Sequence, residues 1–489
     1  MASYDFDLIV IGGGAGGLVS AGIAANAGVK TMLIERHKLG GDCTWTGCIP
    51  SKSLLHSAEI AQTVRTAGLF GINVEKVSVD FRTVMERVHR IREEIYEDAD
   101  DPSIYEGFGI EVVEGSARFT NPHTVEIETA GNTRRVTSRL FVLATGARAF
   151  VPPIPGLDNV PFLTNETLFE LKEQPKRLVI IGGGPIGIEM AQAFARLGTE
   201  VTVVDILGRI LAKDDADHAG MLKEVLEAEG VGFVLGAGVN RVEKGNESIA
   251  VHLASGDVLY ADALLLATGR RANVEGLGLE EAGVAFTKRG ITVNEKCRTS
   301  RRHIYAVGDC TGEYQLTHMS EHMAKVAASN AVLKVPMKID RKHVPWVTFT
   351  SPEIGQLGKT EQQLLDEGAK FEVYRFPYTK VDRGITDGKT TGQIKVFATK
   401  WRGKILGVSI LGERAGELIS LYAVAMRNGV SLKSLADTIH PYPSYGLAAR
   451  RAADQWYARL QFPWIIRILQ RVFRYRGQVP PEVDSERVV

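Results

Sequence analysis

Phe6-Asp7-Leu8-Ile9-Val10-Ile11-Gly12-Gly13-Gly14-Ala15-Gly16-Gly17 is the stretch that decides the fold. Its first six residues predict a buried strand of a parallel sheet, covered on both faces. Gly12, Gly14 and Gly17 then occupy the GxGxxG positions. The first allows a tight turn, the second lets the backbone approach a pyrophosphate, and the third lets helix and strand pack closely. An alanine-rich segment predicts the helix whose N-terminus carries that anion. Thr31-Met32-Leu33-Ile34 predicts the next strand, and Glu35 ends it where an acid accepts a ribose hydroxyl. The glycines alone are a weak signal. Set among strand, helix, strand and acid, they specify a dinucleotide-binding unit.

The pattern recurs. Arg177-Leu178-Val179-Ile180-Ile181 runs into Gly182, Gly184 and Gly187 at the same spacing, then a helix, then Glu200-Val201-Thr202-Val203-Val204 ending at Asp205. Two such units far apart in one chain imply two different nucleotides, and an α/β fold with two Rossmann-like domains. The Asp205 carboxylate suits a free ribose 2′-hydroxyl and repels a 2′-phosphate, which favours NAD over NADP. Arg209, close by in sequence, keeps NADP as the alternative.

Between the two units, Gly40-Gly41-Asp42-Cys43-Thr44-Trp45-Thr46-Gly47-Cys48-Ile49-Pro50-Ser51-Lys52 holds a pair of thiols. A disulfide needs Cα atoms within about 4.4–6.8 Å, which a helical or turning segment satisfies and an extended strand does not. The chain has only four cysteines, too few for a secreted disulfide scaffold, so the pair reads as redox-active. The other two, Cys297 and Cys310, read as structural. A net charge of zero gives no global attraction to nucleic acid. No run reaches the roughly 18 apolar residues of a membrane span. Acids at the N-terminus, where an export signal carries bases, predict a cytoplasmic protein.

With these residues in place, the chain resembles the flavin-dependent pyridine nucleotide–disulfide oxidoreductases over roughly residues 5–455. That family includes dihydrolipoamide dehydrogenase, glutathione reductase and mercuric reductase. Gly40 to Lys52 is similar to its redox-disulfide signature, and Ala144-Thr145-Gly146 and Ala267-Thr268-Gly269 to its paired strand-end motifs. Thr299 to Asp309 is similar to its second FAD fingerprint. The resemblance implies FAD and NAD as cofactors and no resident metal. Asp309 would hold the ribityl chain, Gly115 would lie near the adenine, and Thr145, Gly146 and Gly269 would line the cofactor sites. FAD binding would use residues 1–150 and 272–341, interrupted by an NAD(P) domain at 151–271. An α+β dimerisation domain at 342–460 would complete the partner's active site in a homodimer. Electrons would pass from NADH through FAD to Cys43–Cys48, then to a disulfide or a thiol-bound metal. Cys48 would face the flavin, Cys43 would attack substrate, and Lys52 would lie near flavin N5, paired with Glu189.

Two segments depart from the family. Its members supply a His-Pro-x-x-x-Glu element from the partner subunit, whereas this chain reads Ile439-His440-Pro441-Tyr442-Pro443-Ser444-Tyr445-Gly446-Leu447-Ala448. One register puts His440 at the histidine and Tyr445 at the glutamate. The other keeps the flanking helix in step, puts Tyr442 and Leu447 there, and is preferred. Tyrosine, with a pKa near 10, shuttles protons poorly at neutral pH. A tyrosine there resembles mercuric reductase, but residues 1–489 include no segment like that enzyme's heavy-metal domain or C-terminal cysteine pair. The expectation is weak lipoamide turnover and inefficient mercuric delivery. A diaphorase-like reductase of quinones or dyes, or a slow membrane-recruited redox sensor, are the alternatives. His318 reads as a flavin neighbour or as a satisfied core histidine.

The second departure is the tail, 461–489. Pro463 predicts a helix start. Trp464, Ile465, Ile468, Leu469, Val472 and Phe473 would share one face, with Arg467, Arg471 and Arg474 opposite. Such a helix suits peripheral contact with the inner face of a membrane, and equally suits packing on the partner subunit. Gln478 to Val489 reads as disordered.

Overall fold

The computed structural model describes residues 4–246, 248–459 and 463–479. Residues 480–489, most of the stretch read as disordered, lie outside it, as do 460–462 around the start of the tail. By contacts the chain forms two units: residues 1–206 with 231–340, and 207–230 with 341–489.

In the first unit, Phe6–Ile11 lies between Thr31–Glu35 and Asn132–Leu143, all parallel. Glu111–Glu114 and Ile304–Ala306 extend this sheet, again in parallel. Leu8, Ile9 and Val10 are shut off from solvent, as a parallel sheet covered on both faces requires. A second parallel sheet runs Gly232–Leu235, Glu200–Asp205, Arg177–Ile181, Ala263–Leu266. Both dinucleotide units expected from the glycine patterns are therefore present.

The chain leaves the first sheet through Ala147–Ala149 and returns through Arg270–Ala272. These short strands pair antiparallel, with Ala149 opposite Arg270. The Thr145 hydroxyl donates to the Asn273 carbonyl at 2.8 Å, and the Thr268 hydroxyl to the Phe150 carbonyl at 2.8 Å. Each Ala-Thr-Gly motif thus turns a parallel strand into this two-stranded ribbon.

The second unit is built on an antiparallel sheet in the order Pro345–Thr348, Glu353–Gly358, Ile405–Gly412, Gln393–Ala398, Glu372–Pro377. The helices Ala415–Arg427 and Gly446–Arg459 share its core, through residues such as Ile419, Tyr422, Ala449 and Trp456. Segment 207–230, which the sequence reading keeps in the nucleotide domain, joins this unit by contact. The reason is electrostatic. Lys395, 1% exposed, reaches Asp215 and Asp217 at 2.8 Å each and Glu361 at 2.9 Å. A buried ammonium needs such anions, and the segment supplies two of them. Trp346 Nε1 also donates to Asp214 at 2.8 Å, and His218 Nδ1 lies 2.7 Å from Ser409 Oγ. Pro463–Phe473 forms the predicted tail helix, and none of its residues is buried.

Candidate active site

The two glycine turns are built alike. Gly12 has φ +105° and Gly182 φ +118°, a region that side chains rarely enter. A Cβ on either would strike the carbonyl of Ala144 or Ala267, the first residues of the Ala-Thr-Gly motifs. At Gly17 and Gly187, a Cβ would collide with the carbonyl of Gly12 or Gly182, which keeps helix and turn in contact. The Gly13 amide donates to Glu35 Oε2 at 2.6 Å, and the Gly183 amide to Asp205 Oδ2 at 2.6 Å. The Gly115 amide donates to the Glu35 carbonyl at 2.8 Å, beside the first acid. The helices that follow, Ala15–Asn26 and Pro185–Leu197, start at Gly14 and Gly184 with no side-chain cap and no acid in the first turn. Their leading amides are open to an anion. Both turns fit a dinucleotide.

Cys43 sits in the short helix Gly41–Trp45, and Cys48 opens the helix Cys48–Thr66. Gly47 joins them so tightly that a Cβ there would press on the Asp42 carbonyl at 2.7 Å. The two side chains, held as thiols, come within hydrogen-bond reach of each other. They differ in acidity. A hydrogen bond from Cys43 draws the Cys48 thiol well below the ordinary range, against burial, with help from the Thr317 hydroxyl at 3.4 Å and the Lys52 ammonium. The same hydrogen bond, with burial, pushes Cys43 up. Cys48 is also the first residue of its helix, where the backbone amides favour a thiolate. Lys52 Nζ lies 2.8 Å from Glu189 Oε2, whose side chain is 6% exposed. The structure thus brings together the lysine and glutamate that the family resemblance pairs.

Several neighbours were not anticipated. The Thr44 hydroxyl donates to Asp100 Oδ2 at 2.6 Å. Trp45 Nε1 donates to the Leu39 carbonyl at 2.7 Å, with Lys38 4.3 Å and Arg92 5.3 Å from its ring centre. A bulky aromatic between two cysteines was the available signal. Arg270 donates to the Asp42 carboxylate, and its Nε lies 3.5 Å from Asp309 Oδ2. Burial raises the Asp309 pKa, and Arg270 opposes the rise. Arg270 Nε is buried without a hydrogen-bond partner, a donor that suits an oxygen of a bound dinucleotide. Its position directly after Gly269 was the sequence signal.

The remaining candidates sort as follows. The Asn273 amide donates to the Gly146 carbonyl at 3.0 Å and the Phe150 amide to the Gly269 carbonyl at 2.9 Å, so both glycines belong to the ribbon. Arg209 donates to the carbonyls of Leu211 at 3.1 Å, Ala212 at 2.6 Å and Asp214 at 3.3 Å. Cys310 is fully buried, its Sγ donating to the carbonyls of Val307 and Leu143, and burial pushes its pKa up to about 11. Cys297 is buried and donates to the Met323 carbonyl. His318 is exposed, which corrects its reading as a core histidine. It follows Thr317 at the start of the helix Thr317–Ala328, which brings it one residue from the hydroxyl beside Cys48.

His440 and Tyr442 lie in the second unit. Tyr442 is 71% exposed, and His440 Nδ1 lies 3.0 Å from the Thr438 carbonyl. The Tyr445 hydroxyl donates to Asp387 Oδ2 at 3.0 Å, and its ring stacks on Tyr378. Tyr445, the glutamate position in the first register, is thus held by Asp387. Leu447, that position in the second, is buried in the helix Gly446–Arg459.

Two dinucleotide turns, an acidic thiol braced by a lysine and a separate antiparallel unit define a two-nucleotide dithiol oxidoreductase. Residues 6–324 match the pyridine nucleotide-disulphide oxidoreductase family and residues 344–453 its dimerisation domain, and the chain belongs to this family. Membership brings FAD and a pyridine nucleotide as cofactors, and a homodimer. Mercuric reductase of Bacillus cereus is 34% identical over 448 residues, covering 90% of this chain and 70% of the relative. Dihydrolipoyl dehydrogenase of Bacillus subtilis is 32% identical over 462 residues, covering 92% and 97%. Among solved structures, LpdA of Mycobacterium tuberculosis aligns with TM-score 0.85 at 28% identity, covering 92% of this chain and 99% of its own. The Cu(II) complex of RclA, an HOCl-induced flavoprotein disulfide reductase of Escherichia coli, aligns with TM-score 0.84 at 29% identity, covering 93% and 100%.

Proposed function

We propose that this enzyme carries electrons from NADH to the Cys43–Cys48 disulfide and on to a thiol-bound metal ion or a small disulfide, in the cytoplasm. The observation that carries this is the placement of Cys48, first residue of its helix and 3.4 Å from the Thr317 hydroxyl, four residues before a lysine held at 2.8 Å by buried Glu189, with Cys43 just ahead of it in a short helix of its own. Bound FAD supplies the two-electron relay between nicotinamide and disulfide. Two electrons and one proton open the disulfide to one thiolate and one thiol. Cys48 keeps the negative charge, and Lys52, held by Glu189, neutralises it. Cys43, once deprotonated, attacks a disulfide substrate and releases one thiolate; Cys48 then closes the ring and releases the second, and the two leave as thiols after taking up the Cys43 proton and one proton from solvent. A metal ion on the two sulfurs displaces the Cys43 proton to solvent, and the two electrons released as the disulfide re-forms reduce one mercuric ion or two copper(II) ions with no proton consumed.

That difference favours the metal. With Tyr442 in the preferred register the partner subunit offers the thiols a tyrosine in place of the family's histidine, so an acceptor that consumes no proton suits the site. The mercuric reductase relatives and the Cu(II) complex of RclA support the same reading. The choice of NADH rests on Asp205 and on Arg209, whose guanidinium is engaged with three carbonyls. In the wild type, kcat/KM should be higher for NADH, and an equal or better value for NADPH would overturn that choice.

Steady-state turnover with copper(II), mercuric ion, glutathione disulfide, lipoamide and a quinone tests the acceptor. Metal and disulfide reduction should vanish in Cys43→Ser and Cys48→Ser. If the quinone outran every other acceptor and neither substitution mattered, the diaphorase reading would replace this one.

A further inference from the structure

The helix Pro463–Phe473 presents an apolar face that the other described residues leave exposed. Ile468, Leu469, Val472 and Phe473 are 51%, 42%, 65% and 58% exposed. Helices Ala415–Arg427 and Gly446–Arg459 of the same unit each bury five side chains or more. With Ile465, these positions keep the i, i+3, i+4, i+7, i+8 spacing of a single face, and Arg467 and Arg471 fall off it, with Arg474 and Arg476 directly after the helix. Adding Trp464 and Ile466, the apolar side sweeps about 200° of the circumference, wider than the stripe of about 100° that meets a protein core. From Pro463 to Val479 there are four arginines and no acid, while the rest of the chain has 54 bases against 58 acids. The positive charge is local to this element. At about 1.5 Å per residue the helix is about 16 Å long, half of a bilayer core of about 30 Å. Among the described residues no helix is long and apolar enough to cross a membrane.

We propose that this helix docks the enzyme on an anionic lipid surface. It lies flat, its apolar side sunk into the boundary between headgroups and acyl chains and its arginines on the lipid phosphates. Charge and shape together select this occupant. A second copy of the chain would have to offer carboxylates matched to Arg467 and Arg471 on a helix more than half apolar, and to Arg474 and Arg476 just past its end. An anionic bilayer receives half the circumference of the helix, and the long arginine side chains beside that half reach back to its phosphates. Phe473 and Tyr475, stacked with ring centres 5.7 Å apart, place two aromatic rings at one end, one apolar and one with a polar tip.

The test uses the full-length, FAD-loaded protein, sedimented with vesicles of phosphatidylcholine alone or mixed with phosphatidylglycerol. The protein should pellet with the mixed vesicles and stay in the supernatant with the neutral ones. Arg467→Glu/Arg471→Glu should weaken binding on the order of tenfold or more. Ile468→Asp should abolish it, with the dimer and NADH-dependent dye reduction unchanged. Three results would overturn the proposal: no pelleting of the wild type with anionic vesicles, Ile468→Asp pelleting as well as the wild type, or Ile468→Asp converting the dimer to monomer. The last would show that the face covers a second copy.

Discussion

At Cys48 the Cys43 thiol, the Thr317 hydroxyl and the Lys52 ammonium all favour the thiolate, and burial opposes them. Because the pKa is lowered, the thiolate is present above it and is lost as pH falls through it, below the usual thiol value of about 8.5. The purified protein is expected to be yellow, and reduction by NADH without oxygen should raise a long-wavelength band from this thiolate. Cys43→Ser should show the band without reductant and Cys48→Ser should lack it; the reverse pattern would exchange the two roles. Lys52→Met should move the fading of the band upward by about 1 pH unit or more, since it removes a nearby positive charge. The thiol pair was legible because its spacing is local. The Lys52–Glu189 pair, separated by 137 residues, was legible only through the family resemblance. Arg270 and Asp42 are 228 residues apart, and no local rule connects them.

Elements were readable where steric demand is short-ranged. Each glycine turn is set by collisions between a strand end, a turn and the next helix, so sequence alone predicts it. The tail helix was readable because its period survives without tertiary contacts. The segment 438–445 is different: one register keeps the His-Pro pair and the other keeps the flanking helix in step, so two local rules disagree. Tyr445 is tied to Asp387 and stacked on Tyr378, whereas Tyr442 is exposed. Tyr442→Phe is therefore expected to slow acceptor reduction while flavin reduction by NADH stays fast, with His440→Ala doing less. Rapid-mixing kinetics separate the two half-reactions. Should His440→Ala lose far more, together with a titration near pH 6–7, the histidine register would be restored.

Over the whole molecule, the grouping of segment 207–230 with the C-terminal unit was the feature least visible in the sequence. Its helix, Ala216–Ala228, lies between two strands of a Rossmann pattern, but Asp215 and Asp217 are bound to Lys395, 180 and 178 residues away. Lys395→Ala should destabilise this unit by about 3–5 kcal/mol, because Asp215 is left buried without its counter-ion. Urea unfolding measures this, and Lys395→Met/Asp215→Leu should recover much of the loss.

The ribbon between Ala147–Ala149 and Arg270–Ala272 makes the second dinucleotide domain, topologically, the loop of a very long hairpin. Its entry and exit are hydrogen-bonded neighbours, Ala149 opposite Arg270. Facing residues at that separation are the ones a two-residue Asn-Gly turn joins. Excising residues 150–269 and splicing the ends with such a turn also removes Asp215 and Asp217, the counter-ions of Lys395, so the excision is paired with Lys395→Met; the product should stay yellow and no longer oxidise NADH.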